Sequence, residues 1–77
     1  MTIGQRVKGL RERRGWTMNE LAERAQIPYM TLYRLETGRH RQPHLDIAVR
    51  LAQVLGISLD VLAGVYEDEN QAVPVRN

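Results

Sequence analysis

The sequence predicts an all-α, compact five-helix domain. Three observations carry that expectation. Apolar residues recur at intervals of three and four along most of the chain, and no sustained apolar/polar alternation argues for strands. Two Thr-x-x-Gln/Glu capping signatures stand just before apolar periodic runs, Thr2 with Gln5 and Thr17 with Glu20. Glycines and prolines then punctuate the segments, with Gly15, Gly38 and Gly56 at helix ends and Pro28 and Pro43 at helix starts.

The elements follow in order. Ile3, Val7 and Leu10 stand at i, i+4 and i+7, which gives a first helix over about residues 2–14, ended by Gly15. Thr17 caps a second helix from Met18 to Ala25, with Trp16 placed to staple onto Leu21. Pro28 suits the first turn of a third helix, because its missing N–H has no helical partner there. That helix runs to about Thr37, where Gly38 supplies a left-handed cap. The fourth helix starts near His44, with Asp46 favourable to its dipole. Leu45, Ala48, Leu51, Ala52 and Leu55 are its expected inner stripe, and Gly56 stops it. Ser58 caps a short fifth helix containing Leu59 and Leu62. Residues 1–66 thus form one helical domain, and residues 67–77 read as a polar tail.

Size and composition exclude several classes. A domain of roughly 60 residues buries only about 60% of its unfolded surface, which leaves little room for a deep catalytic pocket. The chain has 77 residues and no cysteine, so disulfides, thiolate metal sites and Cys nucleophiles are absent. His40, His44 and Asp46 lack paired ligand spacing, so no metal or cofactor is expected. Thr17 reads as a helix cap rather than a nucleophile. No apolar run approaches the roughly 18–20 residues that span a bilayer, and Met1 to Arg6 has no signal-peptide apolar region. The expectation is a cytoplasmic, non-enzymatic chain without membrane contact.

Charge is unevenly divided. The formal net charge is +2, and ten of the eleven cations are arginines. Residues 1–41 carry nine cations against four carboxylates, a net +5, and residues 42–77 carry a net −3. A basic first half suggests a face that meets a polyanion. Arginine's planar fork suits phosphate and guanine.

The informative segment is Thr17 to Glu36. Two short helices can cross steeply at a tight turn only if the crossing residues are small and apolar. Ala22 supplies the small residue, and Leu21, Ala25, Ile27, Leu32 and Leu35 supply apolar contacts. Leu32 and Leu35 already make an inner stripe, so Tyr29, Met30, Tyr33 and Arg34 are expected to project outward rather than into a core. A helix with such a face can enter a DNA major groove.

These residues resemble the phage-repressor (Cro/cI, XRE-type) helix-turn-helix family, with its lambda-repressor-like DNA-binding fold. The resemblance covers about residues 3–64. It includes Ile3-Gly4, Leu10-Arg11, Leu21-Ala22, Thr31-Leu32-Tyr33-Arg34-Leu35-Glu36, Gly38, Pro43, Leu51-Ala52 and Leu55-Gly56-Ile57-Ser58-Leu59 with Leu62. It implies a regulator of transcription, a repressor or autoregulator, that binds a double-stranded operator. It implies base contacts from Pro28, Tyr29, Met30, Tyr33 and Arg34. It implies phosphate contacts from Thr17, Met18 and Asn19 and from the loop residues Arg39, His40 and Arg41. Arg11 and Glu36 match a family ion pair that ties the first helix to the third.

The chain departs from the family pattern in two ways. Gln26 stands at the turn where many members have glycine, and a left-handed Gln costs of order 1 kcal/mol more than Gly. The recognition face is rich in Tyr and Met, so amide readout of adenine is missing there. Thymine methyl contacts, Tyr hydroxyl hydrogen bonds and Arg34 on guanine remain. Ile47, Val49, Val54, Val61, Val65 and Tyr66 are more apolar surface than one small bundle hides. Val61, Val65 and Tyr66 are the expected interface of a homodimer. A rival reading keeps the fold and makes the chain a protein-interaction module, an adaptor or the antidote of a toxin pair.

Overall fold

The computed structural model describes residues 2–40 and 42–64. Their five helices are α1 (Ile3–Arg13), α2 (Met18–Ala25), α3 (Tyr29–Glu36), α4 (Leu45–Leu55) and α5 (Leu59–Ala63). Both capping boxes form. The Thr2 hydroxyl accepts from the Gln5 amide and the Gln5 side chain accepts from the Thr2 amide. Thr17 and Glu20 do the same at α2, at 3.1 and 2.8 Å. Ser58 caps α5 through the Val61 amide at 3.1 Å. Each such cap satisfies amides that the helix leaves unbonded at its start.

The fully buried side chains are Val7, Leu21, Leu32, Leu51, Leu55 and Leu62, so every helix contributes to one core. Two alanines, Ala22 and Ala25, are buried at the α2 crossing. The α2–α3 turn closes through the Ile27 amide, which donates to the Ala22 carbonyl at 3.0 Å. Gln26 sits at φ 58°, ψ 48°, the left-handed position that the sequence left conditional. Arg50 on α4 donates to the Gln26 carbonyl at 3.0 Å and so braces this turn from behind. Gln26→Gly should therefore raise the unfolding free energy by about 1 kcal/mol, since it removes the Cβ that makes the left-handed backbone costly and keeps the braced carbonyl. Urea denaturation checks this.

The inner stripe of α4 differs from expectation at one end. Leu45 is 69% exposed, and Ile47, expected as surplus surface, is buried. Ala48, Leu51, Ala52 and Leu55 are buried as expected. On a helical projection Leu45 lies about 70° and Ile47 about 90° from the centre of that stripe, so angle alone favours burial of Leu45 and does not account for the exchange. Leu45 is the first residue of α4, and its place at the helix end, not its angle, goes with its exposure. Val49, Val54 and Val61 are half-buried. Val65, Tyr66 and the tail lie outside the described residues.

Arg14, just past the end of α1, reaches two helices. Its guanidinium donates to the Leu10 carbonyl at 3.2 Å and to the Leu55 carbonyl at the end of α4. Trp16 is half-buried against the core, and the Arg24 guanidinium stacks 4.4 Å from the centre of its ring.

Candidate nucleic-acid interface

The helix-turn-helix unit is α2, the Gln26-Ile27-Pro28 turn and α3. Leu32 and Leu35 are buried, so α3 has its other side free. Tyr29 and Met30 are 40% and 48% exposed, Tyr33 is half-buried, and Pro28 and Arg34 are exposed. Tyr29, Met30, Tyr33 and Arg34 therefore share the side of α3 turned away from Leu32 and Leu35, and Pro28 precedes them as the exposed N-cap of the helix. The rings of Tyr29 and Tyr33 stack, with centroids 6.2 Å apart and planes inclined by 25°. The i, i+4 spacing of two aromatics on a helix could have signalled that pairing in advance.

The flanking positions differ among themselves. Thr17 is exposed; its hydroxyl oxygen accepts the cap bond, which leaves the hydroxyl hydrogen able to donate. Asn19 is exposed in the first turn of α2. The Met18 side chain is half-buried and packs against the core. Its backbone N–H, in the unbonded first turn of α2, is the group it has left to offer. Arg39 and His40 are exposed in the loop after α3, and Arg41 lies outside the described residues. The His40 amide donates to the Arg34 carbonyl at 3.0 Å, which ties that loop to the end of α3. The His40 and His44 rings meet edge to face at 6.3 Å. Among the described residues no group of three or more His, Asp or Glu side chains could hold a metal ion.

Arg11 fixes the orientation of the unit. Its Nε and Nη2 donate to the two Glu36 carboxylate oxygens, both at 2.9 Å, and its Nη1 donates to the Trp16 carbonyl at 2.7 Å. One guanidinium thus joins α1, the start of α2 and the end of α3. The Glu36 hydrogen bonds raise the Arg11 pKa above its ordinary value, against the opposing effect of burial. Below this joint, Gly4 of α1 is buried against the backbone of Leu35 and Glu36. No local pattern marks Gly4 as the residue of α1 that lies against the backbone of α3.

No helix of the described residues is long and apolar enough to cross a membrane.

Known proteins share this arrangement. The immunity repressor protein of Bacillus phage phi105 is 36% identical over 64 residues, covering 83% of this chain and 44% of that protein. The N-terminal DNA-binding domain of SinR from Bacillus subtilis superposes with a TM-score of 0.78 at 29% identity, covering 88% of this chain and 96% of that one. SinR, the master regulator for biofilm formation, solved in complex with DNA, gives a TM-score of 0.75 at 32% identity, covering 78% and 95%. The chain spans about half the length of the curated relatives it matches. A family model described as helix-turn-helix matches residues 7–62, the stretch that holds the α2–α3 unit and its Arg11–Glu36 joint, and the chain belongs to that family.

Proposed function

We propose that this chain binds duplex DNA sequence-specifically in the cytoplasm and regulates transcription, as a repressor or autoregulator. The observation that carries the reading is the free outer side of α3. Tyr29, Met30 and Arg34 stand exposed there beside Tyr33, while the inner residues of the same helix are buried. The likeness to SinR solved with DNA supports it. So does the net +5 of residues 1–41. In this reading α3 lies in the major groove, and Thr17, Asn19, the Met18 amide, Arg39, His40 and Arg41 hold phosphates on either side.

In vitro selection of duplexes by the purified chain tests it. Enrichment of a defined site is expected, with affinity falling with salt at a log–log slope near −0.9 per phosphate neutralised. Absence of any enriched sequence would overturn it. Arg34→Ala should weaken binding by about 1–3 kcal/mol and relax preference at one base pair. Competition titration with a set of single-base operator variants reads both effects. A specificity profile identical to that of the parent chain would exclude Arg34 from base contact.

We also propose that the chain acts as a homodimer. A symmetric pair sets two copies of α3 about 34 Å apart, one turn of DNA, and the selected site should then be a paired half-site. The half-buried Val61 at α5, with Val65 and Tyr66 next along the chain, offers the apolar surface. Sedimentation at high micromolar concentration, with and without operator, should show the pair; a strict monomer in both cases would exclude it.

A further inference from the structure

We propose that the outer face of α3 reads the C5-methyl group of pyrimidines and accepts 5-methylcytosine in place of thymine at the base pair it addresses. This rests on the reading that α3 lies in the major groove. Four side chains make the face, in two rows along the helix. Tyr29 and Tyr33, four residues apart, form a stacked pair. Met30 and Arg34, also four residues apart, form the second row, and both are exposed.

What this face lacks narrows what it reads. The carboxylate on α3, Glu36, is engaged by Arg11, and the Thr37 hydroxyl donates to the Tyr33 carbonyl at 2.7 Å. No amide side chain stands on α3. Bidentate recognition of adenine needs Asn or Gln, and recognition of the cytosine amino group is commonly made by a carboxylate. Arg34 is suited to the O6 and N7 acceptors of guanine. Met30 and the two rings offer apolar, polarisable surface, for which the matching groove feature is the C5-methyl group. The two rings hold each other in place, so they present that surface without a large ordering cost.

Thymine and 5-methylcytosine carry the same methyl group and differ at C4, where one offers an acceptor and the other an amino donor. A side chain of fixed polarity separates them. A Tyr hydroxyl both donates and accepts, and it rotates to suit its partner. The face therefore distinguishes methylated from unmethylated C5 more strongly than thymine from 5-methylcytosine.

The test uses the full chain and its selected operator. At each thymine, three replacements are compared: uracil, a C·G pair and a 5-methyl-C·G pair. At one or two positions uracil should weaken binding about fourfold, the factor that burying one methyl-sized group carries. At the same positions 5-methyl-C·G should bind about fourfold more tightly than C·G. Met30→Gln or Tyr33→Gln should bring that ratio toward one. A flat uracil series, equal binding of C·G and 5-methyl-C·G, or a ratio untouched by both variants would overturn the proposal while DNA binding itself stood. Failure to bind any duplex would overturn both.

Discussion

Glu36→Ala should lower the unfolding free energy by about 3–5 kcal/mol, read by urea denaturation, because it strands the buried Arg11 guanidinium. The Arg11 and Glu36 side chains are only 10% and 2% exposed, so the guanidinium has little access to water and would keep only the Trp16 carbonyl as a partner. A domain of this size has a total stability of only about 4–12 kcal/mol, so the loss is a large fraction of it. Replacing both partners with apolar residues of similar shape, Arg11→Met with Glu36→Leu, should cost much less, since no charge is then left buried. That contrast separates the penalty of an orphaned charge from the net worth of the pair. The pair should not respond to pH from the arginine side. A group with a raised pKa contributes stability that is fully present below its unfolded pKa. It loses that contribution only as pH rises through the folded value, here beyond the ordinary guanidinium range.

Two glycines of α1 should respond to alanine with opposite signs. A Cβ on Gly4 would lie 2.8 Å from the Leu35 carbonyl carbon and 3.2 Å from the Glu36 Cα, and closer still to the Leu35 carbonyl oxygen. These are backbone atoms, which cannot swing aside, so α1 must separate from α3. Gly4→Ala should cost about 3 kcal/mol, at the upper end of overpacking effects, even after alanine's helix propensity is credited. Gly9, five residues along, has nothing within 4 Å of its Cβ position. Gly9→Ala should stabilise by about 0.5–1 kcal/mol, the helix-propensity gain alone. Thermal unfolding of both variants checks the signs. Gly4→Ala should also weaken operator binding among the molecules that remain folded, since it moves α3 relative to the start of α2. A Gly4→Ala chain as stable as its parent would mean that the two helices do not approach as described.

Much of the site was legible because it depends on local chemistry. The two capping boxes, the glycine stops and the outward placement of Tyr29, Met30, Tyr33 and Arg34 all follow from residues within one or two turns of each other. Leu32 and Leu35 claim the inner side of α3, and helical geometry then assigns the outer side. The Arg11–Glu36 pair, 25 positions apart, came from resemblance and not from spacing. The half-burial of Met18 was not legible, because a first-turn residue lies at the margin of two faces and the neighbouring core decides which one it joins.

The sequence alone determined the five helices, their caps and stops and the face that α3 turns outward. The tertiary structure alone decided which of two glycines in α1 is a contact and which is only a weak point. It also decided that Ile47 rather than Leu45 is buried, that Arg14 reaches a carbonyl of α4 and that Arg50 reaches a carbonyl of the α2–α3 turn. The division has one physical reason. Helix formation and capping are settled by residues a few positions apart. Burial at the edge of a stripe, backbone approach and long-range capping depend on where another helix happens to lie, and the sequence carries that only through the packing of the whole chain.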